Sequence, residues 1–241
     1  MIRFLCSWLC GLLAALFSAG SAFAFEIGPV SLVLPRDNPV GVFHVANNSP
    51  ASISIEMLGY RWHQQDGRDF YEEEPALIIT PPLFTLAPGE RRLVRAGIME
   101  AGDWGEEETA FRVLARDISP LDTSSGLRVR LQMLLPVFLE AASDKSALSL
   151  ALSPRGDGAL CLHARNEGNI HEKLLWLKAP SGARLMTQQY YLPGAAAREC
   201  VPWNGDGAEA PFQAALISAG DTSPRFYDLV PGDDARRLVH K

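Results

Sequence analysis

Along residues 127–139 every second position is apolar: Leu127, Val129, Leu131, Met133, Leu135, Val137 and Leu139. A β-strand has a side-chain period of two, so the segment predicts one strand carrying a continuous hydrophobic rail on one face. Gly126 and Glu140 bound it, while Arg128, Arg130 and Gln132 open the other face toward solvent or a cleft. The rail is long against the ~5–6 residues of an average strand. It either crosses the core of one sandwich or offers part of its length to another chain.

Shorter runs rich in β-branched and aromatic residues precede it at 30–34, 42–45, 53–57, 76–79, 92–95 and 111–115, each punctuated by Asn, Asp, Gly or Pro. These read as strands. No long segment outside the N-terminus shows an apolar stripe of helical period. Seven strands in roughly 115 residues predict an all-β fold whose first unit is an immunoglobulin-like sandwich. In the third run the apolar parity changes, from Ile53, Ile55 and Met57 to Leu58, Tyr60 and Trp62. A one-residue slip swaps faces, so a bulge or a bend between sheets is expected near Met57 and Leu58. Asp66-Gly67 predicts a tight turn, and Pro81-Pro82, unable to donate to a ladder, an edge or a crossing between sheets.

The polar segment 141–146 reads as a hinge. Beyond it Leu148, Leu150 and Leu152 alternate, Gly156-Asp157-Gly158 turns, and Leu160, Leu162 and Ala164 alternate again. That hairpin opens a second β-sandwich, which gives domains at 25–142 and 143–241. Arg155-Gly156-Asp157 could be an integrin tripeptide, but at a hairpin tip it reads as a turn.

The N-terminus has its own signature: Arg3, an apolar stretch at 4–17, and Ala22-Phe23-Ala24. These are the charged, apolar and cleavage regions of a secretory signal peptide over 1–24, too short for a membrane span of ~20 residues. Its removal takes Cys6 and Cys10 and leaves Cys161 and Cys200. In an oxidising compartment that lone pair predicts a disulfide; a redox or metal pair would call for C-x-x-C or nearby ligands. The formal charge of −6 argues against nucleic acid or an anionic membrane as main partner.

His44, His63, His163, His171 and His240 are scattered and read as surface or strand residues, so no metal or other cofactor is expected. The acidic runs 72–74 and 106–108 read as solvated loops. G-x-S-x-G, H-E-x-x-H and P-loop patterns are missing, which leaves no basis for an enzyme.

The most specific stretch is 78–95, IITPPLFTLAPGERRLVR. It resembles the PP-x-F-x-L-x-PG-x-x-x-x-VR signature of the periplasmic pilus-assembly chaperones, the PapD-like family. Supporting matches are Pro29-Val30, Asn47, Trp62 with Asp66-Gly67, Glu108 to Arg112, Ile118-Ser119-Pro120 and Leu135 to Phe138. The Leu-Pro-Val-Phe ending and Phe111-Arg112 resemble the archaic chaperone–usher branch. The second domain matches weakly, through 166–171.

The resemblance implies two immunoglobulin-like domains set in an L, working in the periplasm. It also implies pilin subunits and an outer-membrane usher as partners, and donation of the first domain's last strand to a subunit lacking its own. Such strand addition supplies the missing ladder and fills an exposed groove. Leu127, Val129, Leu131 and Met133, with Leu135, are the expected donor residues. Four such side chains would bury a gross ~6–12 kcal/mol before ordering and association costs.

The family's two basic residues that anchor the subunit's terminal carboxylate have no counterpart here: the first falls at Ser31, and no lysine matches the second. The apolar parity of Phe111, Val113 and Ala115 turns Arg112 to the other face beside the donor strand. Arg112 is therefore the expected anchor and Arg95 the alternative, with Arg95 and Glu108 expected to form an internal ion pair. A large apolar rail could also be capped by a homodimer of the free protein. The competing reading is a secreted immunoglobulin-like adhesion or carbohydrate-binding module, against which stands the dispersal of Trp62, Trp104, Trp176 and Trp203.

Overall fold

The computed structural model describes residues 25–99, 104–120, 130–205, 210–232 and, for the backbone, 236–239. The expected signal peptide at 1–24, and Leu127 and Val129 of the rail, lie outside the described residues. The first domain contains β1 (Phe25–Gly28), β2 (Leu32–Leu34), β3 (Val40–Asn47), β4 (Ile53–Gln65), β5 (Arg68–Glu73), β6 (Leu77–Thr80), β7 (Leu83–Leu86), β8 (Arg91–Ile98), β9 (Thr109–Asp117) and β10 (Gln132–Leu139). One sheet runs β1-β3-β8-β6; the other runs β2-β10-β9-β4-β5, with β7 added to β4.

Alternation explains the packing. Phe43 and Val45 on β3, Val94 and Ala96 on β8, Ile55 and Met57 on β4, and Phe111, Val113 and Ala115 on β9 all point between the sheets and are buried. The Pro81-Pro82 pair is a crossing, since β6 belongs to one sheet and β7 pairs with the other. Asp66 and Gly67 take φ of 51° and 71°, the left-handed pair that a two-residue type I′ hairpin requires between β4 and β5. β5 itself escaped the sequence reading because it is exposed along its whole length and carries no apolar alternation.

The bulge expected near Met57 and Leu58 is not formed: β4 keeps a single register against β9 from Ile55 to Arg61. The parity of the apolar residues changes because the covering changes. Up to Met57 the inward face lies on the first domain's core, whereas Trp62, on the opposite face, is covered by the second domain.

The second domain contains β11 (Ala147–Arg155), β12 (Ala159–Asn166), β13 (Glu172–Lys178), β14 (Arg184–Tyr191), β15 (Ala196–Pro202), β16 (Phe212–Ser218), β17 (Arg225–Leu229) and β18 (Arg236–Val239). Its sheets run β15-β12-β11-β18 and β14-β13-β16-β17 around a core of Leu150, Leu162, Leu174 and Phe212. Arg155 and Asp157 are ion-paired at 2.8 Å in the turn between β11 and β12. Cys161 and Cys200 stand opposite each other on β12 and β15 and are joined by a disulfide.

The two domains repeat one device. Asn47 ends β3 and donates to the carbonyls of Ala51, Leu86 and Ala87; Asn166 ends β12 and donates to those of Ile170 and Tyr191. Each buried amide ties the end of its strand to backbone carbonyls of a neighbouring segment, so its own polar group is satisfied inside the fold.

Candidate functional site

The outer face of the first domain's larger sheet is ordered in rows by strand register. Phe138 and Ala110 pair across β10 and β9 and, with Trp62, are buried against Leu192 and Ala195 of the second domain. The next row is Pro136, Arg112 and Tyr60, followed by Leu134, Leu114 and Leu58, and then by Gln132, Arg116 and Glu56. Arg116 and Glu56 are ion-paired at 2.5 Å. The sequence alternates across the strand, so these residues share one face while Leu131, Met133, Leu135, Val137 and Leu139 share the other.

That second face changes character along its length. Val137 and Leu139 are enclosed by the first domain's own sheets, and so is Leu135, only 5% exposed. Leu135 is therefore a core residue of this chain, a correction to its assignment as a donor: its neighbours across the sandwich already fill the space around it. Leu131 and Met133 are half-buried at the end of that core. β2 pairs in parallel with β10 only at Val137, Phe138 and Leu139, so residues 132–136 present an edge with no strand beyond it among the described residues. An edge with apolar side chains beside it is a template for another strand.

Arg112 stands next to that edge, in the cleft between the domains. Its Nη1 donates to the Leu134 carbonyl at 3.3 Å, and its guanidinium carbon lies 3.7 Å from the Trp62 ring centroid and 5.4 Å from that of Tyr190. Its Nε is buried without a hydrogen-bond partner among the described residues. A cleft of about 150 Å³ adjoins it, lined by Gln64, Asp69, Gln188, Gln189, Tyr190 and Glu199 among others. Burial lowers the Arg112 pKa from its ordinary value, opposed by the neighbouring Tyr71, Tyr190 and Asp69. An arginine shifted in this way is still a cation.

Glu199, on the wall of the cleft, carries a pH signature. Burial, and then the charge of Asp69, raise the Glu199 pKa above its ordinary value. A carboxyl whose folded pKa is raised contributes stability that is fully present below its unfolded pKa and is lost as pH rises through the folded one. Glu199→Gln is thus expected to stabilise the protein at about pH 8 and to do little near pH 4. The gain should stay under about 1 kcal/mol at a half-exposed, screened site. Urea midpoints of both proteins at the two pH values check it; an equal shift at both would remove Glu199 as the titrating group.

Arg95 is not part of this site. Val94 and Ala96 point inward, which turns Arg95 outward on β8, in the opposite sheet, on the far side of the sandwich from Arg112. The expected Arg95–Glu108 ion pair is not formed. Glu108 lies where the domains meet, and its carboxylate accepts hydrogen bonds from the backbone N–H and the Nδ1 of His171, at 3.1 and 2.8 Å. The His171 ring also stacks on Phe138 with centroids 3.8 Å apart. His171, read from sequence as a surface or strand residue, is a buried link between the domains. Gln64 adds a second link, donating to the Tyr190 carbonyl and accepting from the Leu192 N–H, both at 2.9 Å.

Residues 24–142 match the sequence profile described as pili and flagellar-assembly chaperone, PapD N-terminal domain. No curated protein sequence matches the chain. Among solved structures, the chain is similar to one in the complex of the chaperone CsuC with the tip adhesion subunit CsuE, from archaic chaperone-usher Csu pili of Acinetobacter baumannii. That match has a TM-score of 0.68 and 14% identity, over 87% of this chain and 100% of that one. A chain in the Salmonella enterica complex of SafA pilin with the SafB chaperone matches with a TM-score of 0.64 and 15% identity, over 88% and 99%. The E. coli chaperone DraB matches with a TM-score of 0.61 and 14% identity, over 86% and 98%. At these identities the matches establish a shared fold of two sandwiches.

Proposed function

We propose that this chain, whose residues 24–142 match the profile of the pili and flagellar-assembly chaperone, PapD N-terminal domain, is a periplasmic chaperone that binds pilin subunits by donor-strand complementation. The observation that carries the reading is the edge of β10 at 132–136, unpaired among the described residues, with half-buried Leu131 and Met133 on one side and Arg112 in the cleft on the other. A pilin lacking its last strand has the complementary deficiencies: an empty groove for alternating apolar side chains and an unpaired ladder. The chaperone's edge supplies both.

The finer parts of the proposal follow from the same frame. Leu127 and Val129 extend the donated segment beyond Leu131 and Met133. Arg112 receives the subunit's terminal carboxylate, and the loaded complex delivers the subunit to an outer-membrane usher. A signal peptide over 1–24 brings the chain to the periplasm, the system is of the archaic type, and two free chaperones cap each other's edges as a homodimer. The similarity to a chain of the Csu complex, with its archaic chaperone-usher origin, supports that branch.

The test is co-expression in the periplasm with a pilin whose fold lacks its final strand. An equimolar complex should be recovered, and the pilin should be degraded or aggregated when expressed alone. Equal soluble pilin with and without this chain would defeat the reading.

A further inference from the structure

We propose that Trp62 and Tyr190 form an aromatic clamp, built from both domains, that holds the Arg112 guanidinium in one orientation for its carboxylate ligand. The inference rests on the anchoring role given to Arg112 above and adds the residues that position it. Trp62 comes from β4 of the first domain and Tyr190 from β14 of the second. The guanidinium sits 3.7 Å from the first ring and 5.4 Å from the second, and the rings meet edge to face at 5.4 Å and 79°.

A lone arginine has many rotamers, and ordering one costs entropy on binding. No second cation shares this cleft wall with Arg112 among the residues lining it. The rings supply what a second cation would not: an electron-rich surface that attracts the charge and fixes the plane of the fork. Trp62 is held by its burial at the domain junction, only 2% exposed. Tyr190 is held from its backbone, where Gln64 bridges the Tyr190 carbonyl and the Leu192 N–H. Lys173 approaches the Tyr190 ring at 4.8 Å, while Asp69 and Glu199 bound the cleft. The anchor is therefore complete only when the two domains are docked.

The experiment is nitrogen-15 NMR of arginine side chains in the intact two-domain protein, with N-acetylglycine as the carboxylate probe and N-acetylglycinamide as its uncharged control. In the native protein the buried Arg112 Nε–Hε should give a dispersed, exchange-protected signal that moves with the acid and not with the amide. Tyr190→Leu, which keeps bulk but removes the ring face, should collapse that signal to the averaged arginine position. It should also weaken N-acetylglycine binding about threefold to tenfold. Tyr190→Phe should preserve both. Trp62→Leu should act like Tyr190→Leu; because Trp62 is a junction residue, the tyrosine variants decide the matter.

A native-like signal and affinity in Tyr190→Leu, or loss of both in Tyr190→Phe, would overturn the clamp. A signal that collapses in Tyr190→Leu yet never responds to N-acetylglycine would support the clamp and remove the anchoring role of Arg112.

Discussion

Met133→Asp is expected to eliminate recovery of the chaperone–subunit complex while leaving the chaperone folded. Met133 lies on the rail face of β10, half-buried at the end of the first domain's core and beside the edge that no strand covers among the described residues. If that edge is lent to a subunit, the same side chain enters the subunit's groove, and a carboxylate there loses its water without gaining a partner. Desolvating an unpaired charge costs several kcal/mol, and each 1.4 kcal/mol is a factor of ten in affinity. A loss of more than about a hundredfold follows, which empties a pull-down.

In the free protein the aspartate can turn toward solvent, so the melting temperature should fall only modestly. Gln132→Asp serves as the control: Gln132 is exposed on the other face, and the complex should survive. Leu131→Asp should repeat the Met133 result. Full recovery with both rail variants would mean that β10 is not the donated strand.

The rail also shows where sequence stops being informative. Alternation from 127 to 139 identifies a strand with one apolar face, but the period is the same whether that face lies on the chain's own core or on another protein. Only the packing of the opposite sheet separates Leu135, already enclosed, from Met133, half-covered. Arg112 could be placed from Phe111, Val113 and Ala115, because a period of two fixes the face of everything between them. The tight turn at Asp66-Gly67 and the pairing of Cys161 with Cys200 were legible for similarly local or forced reasons.

Contacts across the domain junction were not. The partners Glu108 and His171 lie 63 residues apart, and nothing in the periodicity around either one announces the other. Assigning Glu108 to Arg95 used a family habit in place of geometry. Trp62 was visible as an apolar residue out of phase, but its meaning as the place where the second domain takes over the covering required the second domain itself. Tyr190 stands in β14, where exposed and buried positions do not alternate, so it carried no signal.

Arg112→Ala should weaken subunit capture to near the limit of detection, whereas Arg95→Ala should leave it unchanged. A charge-assisted hydrogen bond to a carboxylate contributes ~1.5–3 kcal/mol, so its loss alone lowers affinity about ten- to a hundredfold. The contrast between the two arginines is the informative part. Both belong to one sandwich, but Arg95 lies exposed on the outer face of the opposite sheet while Arg112 faces the cleft beside β10. A general loss of positive charge would affect the two variants alike. Loss of a specific anchor affects only Arg112. Arg112→Lys should fall between, since lysine keeps the charge but cannot reproduce the planar fork stacked on Trp62. The measurement is the yield of co-purified subunit, beside a urea denaturation curve for each variant. If Arg112→Ala retained the native yield, the carboxylate would have to be held elsewhere, and the cleft would be left as a structural junction alone.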